Sequence, residues 1–135
     1  MGAWLHPIPQ YHPPAPPTYT SQQIADAKAK VCAAYGKVHA AFAAVNAHDG
    51  GFDPTASLAV ATSSRQALEV GGQYLLSTLA KEPATPPDLA TAARGLADDY
   101  QELVISYLAD ARDSDVDTLR RSVDKLSSQI DGLCK

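Results

Sequence analysis

Apolar side chains recur every three or four positions through four segments of this 135-residue chain. That spacing places them on one face of an α-helix, because a helical turn takes about 3.6 residues. The first segment carries the pattern in the row Ile24, Lys28, Val31, Tyr35, Val38, Phe42 and Val45. The sequence therefore predicts an all-α protein of four amphipathic helices.

Each predicted helix has its own start signal. The four signals are a Thr20–Gln23 capping box, Asp53 before Pro54, the run Thr85-Pro86-Pro87-Asp88, and Ser114 with Asp117. Small polar side chains before a helix accept hydrogen bonds from its first free amide groups. Gly50-Gly51 and the residues before Pro83 separate the first three segments. The caps and the apolar rows thus agree on the number of helices.

Short connections make consecutive helices run antiparallel. The expected architecture is an up-down-up-down four-helix bundle over residues 20–135, preceded by a proline-rich extended arm over residues 1–19. In this topology the end of the fourth helix returns beside the first half of the first helix. Cys134 is then within one or two turns of Cys32.

The two cysteines have two interpretations. They either remain buried free thiols or form a disulfide, which the topology favours. A bridge that closes a loop of about 100 residues removes roughly 4–5 kcal/mol of denatured-state entropy. A disulfide also implies an oxidising compartment outside the cytoplasm.

The arm is rich in proline, with six prolines between residues 7 and 17. That density fixes φ, removes amide donors and favours an extended polyproline II conformation. Such an arm is a semi-rigid spacer of about 50 Å when fully extended. Pro16-Pro17-Thr18-Tyr19 also fits the PPxY pattern bound by small aromatic-grooved domains, although a linker that ends in tyrosine explains the same residues.

Trp4 and Leu5 lie near the start of the arm. An aromatic residue in this position is typical of a membrane–water interface, so we expect the pair just outside a transmembrane segment. The alternative is that Trp4 packs on the bundle or on a neighbouring molecule. No stretch of the sequence is long and apolar enough to cross a bilayer or resembles a secretory signal. The membrane segment is therefore expected outside these residues.

The composition disfavours several classes of function. A net charge of −4 and an isoelectric point near 5.4 argue against binding to nucleic acid. The histidines lack the Glu-x-x-His or His-x-x-x-His spacing of a metal site in a bundle. The chain also lacks a Gly-x-Ser-x-Gly nucleophile turn and a phosphate-binding glycine loop. We expect no cofactor, no metal and no enzymatic activity.

Two features interrupt the apolar row of the second helix. Arg65 should lie level with Asp99 on the third helix, which makes the two a candidate buried ion pair. The alternative is that Arg65 reaches water from the edge of the interface. Gly71-Gly72 costs about 1–2 kcal/mol in helix propensity relative to alanine, and a close helix crossing or a local kink would justify it.

The run PPTYTSQQIADAKAKVCAAYGKVHAA, followed far downstream by Leu133-Cys134, resembles mycobacterial alanine- and proline-rich single-pass membrane proteins of unknown function. In that family, a transmembrane helix precedes a Trp-containing, proline-rich stretch and a helical extracytoplasmic domain. The resemblance implies that Trp4 marks the membrane-proximal edge and that Cys32 and Cys134 form the disulfide of the domain. It implies no catalytic residues.

Two functional hypotheses follow from these observations. The leading one is a non-enzymatic domain on the extracytoplasmic side of the cell membrane, tethered by a segment outside this chain and acting through an unidentified protein partner in the cell envelope. The other is a binding module for a lipid or another apolar ligand, held between the helices near Gly71-Gly72. A pocket lined by Leu68, Leu75 and Leu103 would favour the second hypothesis.

Overall fold

Four helices account for most of the chain and confirm the predicted fold class. The structure, a computed structural model, describes residue 2, residues 4–48 and residues 50–135. Its helices are α1 (Ser21–Asn46), α2 (Pro54–Lys81), α3 (Pro87–Leu108) and α4 (Asp113–Leu133). Strands are absent from the described ranges. The protein is an up-down-up-down four-helix bundle.

The first two helices begin at the residues that the sequence predicts. Thr20 caps α1 through a capping box, in which its hydroxyl accepts from the Gln23 amide at 3.1 Å and the Gln23 side chain accepts from the Thr20 amide at 2.8 Å. Asp53 caps α2 by accepting from the Thr55 amide at 3.1 Å. These side chains satisfy amide groups that have no partner inside the helix.

The other two helix starts differ from the prediction. Pro86 occupies the N-cap of α3, and its side chain makes no capping hydrogen bond. The Thr85 hydroxyl instead donates to the Glu82 carbonyl at 2.6 Å, within the connection that leaves α2. Helix α4 begins at Asp113, and its N-cap is Arg112, two residues before the predicted cap Ser114.

The core lies between all four helices and combines alanine with larger apolar side chains. Consecutive helices make the most extensive contacts, so α2 packs between α1 and α3, and α3 packs between α2 and α4. The buried cluster consists of Val31, Ala34, Tyr35, Val38, Leu75, Leu79, Leu89, Ala92, Ala93, Leu96, Ala97, Tyr100 and Ile130. The four alanines of this cluster let the helix backbones approach closely where they pack.

Gly71 and Gly72 mark the closest approach of α2 to its two neighbours. A Cβ atom on Gly71 would lie 2.9 Å from Cγ1 of Val38 on α1. A Cβ atom on Gly72 would lie 3.1 Å from the carbonyl oxygen of Ala97 on α3. The adjacent glycines therefore serve two close helix crossings, which is the first of the two explanations expected from the sequence.

Candidate functional site

A disulfide joins the first and last helices. Cys32 on α1 and Cys134, the C-cap of α4, are bonded, and their Cα atoms lie 5.7 Å apart across a sequence separation of 102. The Tyr35 hydroxyl also donates to the Ser127 carbonyl at 3.3 Å. Burial raises the pKa of Tyr35, with a further contribution from Asp131. The predicted disulfide is confirmed, and it holds the end of α4 against α1 about three turns from the start of α1.

Beyond Tyr35, α1 and α4 leave a cleft of about 480 Å³ between them, which we call the α1–α4 cleft. Its apolar lining consists of Phe42, Leu68, Tyr100 and Val123. The ring of Tyr100 meets that of Phe42 edge-on, with 5.0 Å between the ring centroids. Burial raises the pKa of Tyr100, so its hydroxyl stays protonated well above neutral pH.

The polar rim of the α1–α4 cleft brings together residue types that often carry chemistry. His39, Asn46, Asp124, Ser127 and Ser128 lie along it. An activated nucleophile needs a base within hydrogen-bonding distance. Among the described residues, the side-chain hydrogen bonds include none between His39 and Asp124 or between His39 and either serine. The observed geometry is therefore an apolar floor with separate polar groups at its edge.

A second concave surface lies on the outside of the α1–α2 pair. Two depressions of about 390 and 380 Å³ follow one another along it. A third depression, which extends to Lys30 and Glu82, shares Lys37 and Tyr74 with the first. We call this continuous surface the α1–α2 groove. Its central and outer part is lined by Lys37, Val38, Ala41, Ala44, Val45, His48, Ala59, Val60, Ser63, Ala67, Val70, Gly71 and Tyr74.

The α1–α2 groove is apolar but uncovered. Val70 is 55% exposed and Tyr74 is 40% exposed, although both are large apolar side chains. The signal for this face is present in the sequence as a second row at helical spacing on α2, formed by Ser63, Ala67, Val70 and Tyr74. This row was not predicted to be exposed, because spacing alone does not show which apolar row of a helix faces the core.

The candidate ion pair is not formed. Arg65 and Asp99 are both half-buried, and Asp99 accepts a hydrogen bond from the Ser122 hydroxyl on α4. The ion pairs between described residues are elsewhere: Lys30–Glu82, Arg112–Asp115, Arg120–Asp113 and Arg120–Asp117. Partial exposure of the Arg65 side chain is compatible with the alternative in which it reaches water from the edge of the interface.

Arg120 lies at the centre of a polar cluster that was not predicted from the sequence. Its guanidinium donates to the Tyr107 hydroxyl at 3.1 Å and lies 5.6 Å from the centre of the same ring. It also pairs with Asp117 at 3.1 Å and with Asp113 at 3.4 Å. The bond to Tyr107 is the main reason that the pKa of Arg120 is raised. The Asp117–Arg120 spacing of three residues was the available signal.

The arm lies away from the bundle. Residues 4–19 form neither helix nor strand. The exposed fraction is 88% for Trp4 and 91% for Leu5, so Trp4 does not pack on the bundle. Ile8 and Tyr11 are similarly exposed, at 89% and 82%. Large apolar side chains thus line the arm with nothing covering them.

Two further findings concern the described residues alone. None of their helices combines the length and hydropathy needed to cross a bilayer. They also contain no group of three or more His, Cys, Asp or Glu side chains placed to hold a metal ion.

In comparisons with known proteins, the chain matches no family model, no curated protein and no solved structure.

Proposed function

We propose that this chain is a non-enzymatic contact domain, tethered to the cell membrane on its extracytoplasmic side and acting through protein partners in the cell envelope. The observation that carries the proposal is the uncovered α1–α2 groove, which is apolar along two consecutive depressions. Exposed apolar surface of this kind is typical of interaction sites in soluble domains. The small residues in its floor allow another chain to approach the helix backbones closely.

The proposed location rests on the disulfide and on the arm. A cysteine pair bonded across 102 residues is typical of proteins that fold in oxidising compartments. The proline-rich arm, with Trp4 and Leu5 exposed near its start, is suited to separate the bundle from a membrane surface. The resemblance of residues 16–41 to mycobacterial single-pass membrane proteins supports the same placement.

The contact role is testable by photo-crosslinking in the native membrane. A photoreactive amino acid is introduced at Val70, in the α1–α2 groove, or at Arg94, an exposed position on α3. We expect a discrete protein adduct after illumination from position 70 and none from position 94. Equal labelling at both positions, or no protein adduct from position 70, would contradict a contact role for the groove.

The location is tested separately by mass spectrometry of the protein isolated from its native membrane without reduction. We expect the Cys32 and Cys134 peptides to be recovered as one disulfide-linked pair. Recovery of both as free thiols, after alkylation during lysis, would argue against an oxidising compartment.

A second candidate function is the binding of an apolar ligand, and the α1–α4 cleft favours it. A volume of about 480 Å³ with an apolar floor and a polar rim has the size and chemistry of a small-ligand site. The cleft differs from the site expected near Gly71-Gly72. Leu75 and Leu103 are buried in the core and line none of the described cavities, while Leu68 lines the α1–α4 cleft.

Native mass spectrometry with palmitate tests this second function. We expect a complex with one bound fatty acid that is lost in Val123→Glu, since a carboxylate in the cleft removes its apolar character. Val70→Glu, which places the same group in the α1–α2 groove, should retain the complex. Loss of the complex in both variants, or no complex with the unmodified chain, would count against ligand binding in the cleft.

A further inference from the structure

The exposed apolar residues of the arm follow a regular pattern. Leu5, Ile8 and Tyr11 are three residues apart, and Pro14 and Pro17 continue the same spacing. A polyproline II helix has three residues per turn, so residues at this spacing lie along one face. In the polyproline II conformation that its prolines favour, the arm presents a single apolar ridge, which we define as Leu5, Ile8, Tyr11 and Pro14.

The chemistry of the α1–α2 groove suits such a ridge. Proline-rich ligands dock in apolar grooves with aromatic side chains at the edge, and their stiffness lowers the entropy lost on binding. Tyr74 supplies the aromatic edge, while Ala41, Ala67 and Gly71 contribute a shallow floor. The ridge from Leu5 to Pro14 spans about 28 Å, which fits within the roughly 39 Å length of α1.

From this match we propose that the α1–α2 groove binds the apolar ridge of a second copy of this chain, by reciprocal exchange of the arms. The proposal rests on the proposed function, because it names the partner of the same groove. The arm of the same molecule is less suited. Pro13-Pro14 and Pro16-Pro17 stiffen it, so a reversal onto its own groove would have to occur within Thr18 and Tyr19. A second copy is reached without that reversal.

The charge distribution also favours the arm as the contact. Residues 4–25 contain no Asp, Glu, Lys or Arg, whereas the whole chain has a net charge of −4. Two copies therefore repel one another through their bundles but not through their arms. Because the ridge contains no Asp, Glu, Lys or Arg, docking it in the groove buries no unpaired charge from the arm.

The ridge is large enough to supply its share of a dimer interface. Reciprocal exchange buries four surfaces, two ridges and two grooves. A standard interface of about 1,600 Å² then requires about 400 Å² from each. A buried tyrosine supplies about 150–250 Å², so Tyr11 with Leu5, Ile8 and Pro14 reaches that range. The exposure of Leu5, Ile8 and Tyr11, each above four-fifths, leaves this area free for contact.

Sedimentation velocity on the oxidised 135-residue chain tests the proposal. We expect reversible dimerisation between about 1 µM and 1 mM. Ile8→Asp with Tyr11→Asp should weaken dimerisation by about tenfold or more, because it places charge on the ridge. The matched control Gln10→Asp with His12→Asp adds the same residues beside Tyr11 on the other two faces, and should dimerise like the unmodified chain. These variants leave Trp4 unchanged.

Groove variants provide the reciprocal test. Val70→Asp should weaken dimerisation to a similar extent, whereas Ile105→Asp, an exposed position on α3, should not. An equal mixture of Val70→Asp with the Ile8/Tyr11 double variant should recover a heterodimer. In that pair, the intact ridge of the Val70→Asp chain binds the intact groove of the Ile8/Tyr11 double variant. Circular dichroism of each variant checks that the bundle is folded.

The proposal is overturned if the unmodified chain stays monomeric throughout the concentration range, whether its arm lies free or folds back on its own groove. It is also overturned if the control and ridge variants weaken the dimer equally. If the chain stays monomeric but position 70 crosslinks to a different protein, the contact function stands and only the second copy is rejected as the partner. If the chain neither dimerises nor crosslinks to a protein from position 70, both the contact function and the arm exchange are rejected.

Discussion

Gly71 shows how a single missing side chain determines the distance between two helices. Its position leaves room for Val38, which is buried on α1 and is stiff because it branches at Cβ. The same residue contributes to the floor of the α1–α2 groove. The close packing of α1 on α2 and the shape of the groove therefore both depend on the absence of a Cβ atom at residue 71.

We predict that Gly71→Ala destabilises the protein by about 1–2 kcal/mol, because overpacking against Val38 exceeds the gain in helix propensity. Gly36→Ala is the matched control on α1, since a Cβ atom there has no neighbour within 4 Å. It should stabilise by about 0.5–1 kcal/mol. Urea unfolding of the oxidised variants measures both changes, and stabilisation by both would contradict the close crossing.

Tyr100 makes stability depend on pH in the alkaline range. Its pKa and that of Tyr35 are raised by burial above the ordinary value of 10.0. The unfolded chain therefore loses these protons first, and stability is full below pH 10 and falls as pH rises above it. Each such tyrosine contributes at most about 1.4 kcal/mol per pH unit.

Tyr100→Phe should accordingly reduce the loss of stability between about pH 9 and pH 11. Urea unfolding at the two pH values gives that difference for the variant and for the unmodified chain. The comparison within each protein removes the constant effect of deleting the hydroxyl. If Tyr100→Phe and the unmodified chain lose the same stability between the two pH values, the pKa of Tyr100 is the same in the folded and unfolded chain.

Among the helices, the first two differ from the last two in how their N-termini are capped. Thr20 and Asp53 cap α1 and α2 with their side chains, but α3 and α4 have no side-chain capping bond. Acidic residues in the first turns, Asp88 in α3 and Asp113 in α4, favour those ends through the helix dipole instead.

This contrast gives a matched pair of substitutions. Thr20→Ala should cost about 1 kcal/mol, because it removes the hydroxyl that accepts from the Gln23 amide. Ser114→Ala should change stability by less than about 0.5 kcal/mol, since Ser114 lies inside α4 and caps nothing. Thermal unfolding of the oxidised proteins measures both. A larger loss from Ser114→Ala than from Thr20→Ala would be inconsistent with the observed helix starts.

The helix starts also show how far the sequence determines the elements. Thr20 and Asp53 were predictable because each is a small polar residue at the start of a clear apolar row, and Pro54 at the first helical position strengthens the signal at Asp53. Thr85 was not, because a hydroxyl near two prolines has more than one partner, and here it takes the Glu82 carbonyl. The Arg65–Asp99 prediction depended on counting turns, which gives the level of a side chain along a helix but not its direction.

For the whole molecule, chain connectivity explains both what was predictable and what was not. Consecutive helices joined by short connections must pack together, so the bundle and the position of Cys134 beside Cys32 followed from the sequence. Helices α1 and α4 have no direct connection, and the distance between them depends on the side chains at their interface. The α1–α4 cleft was therefore not predicted. The α1–α2 groove was missed for a different reason, because spacing alone does not show which apolar row of a helix faces the core.

The disulfide should contribute both to global stability and to the position of α4. Replacing Cys32 and Cys134 with serine removes a constraint on a loop of about 100 residues, and we expect a loss of about 3–5 kcal/mol in urea unfolding. Reduced, unmodified protein is the matched control and should show a similar loss. A change below 1 kcal/mol in both would contradict the stabilising role.

The same double variant should also show a local effect. Apart from the disulfide, the hydrogen bond from Tyr35 to Ser127 is the polar link between α1 and α4 among the described residues. Without the bridge, amide hydrogen exchange in the last two turns of α4 should accelerate beyond the change in global stability, because these turns open locally. The middle of α3, around Leu96, is buried between its neighbours and should follow global unfolding alone. Exchange that accelerates equally in the two helices would show that α4 stays in place without the bridge, held by its packing on α3.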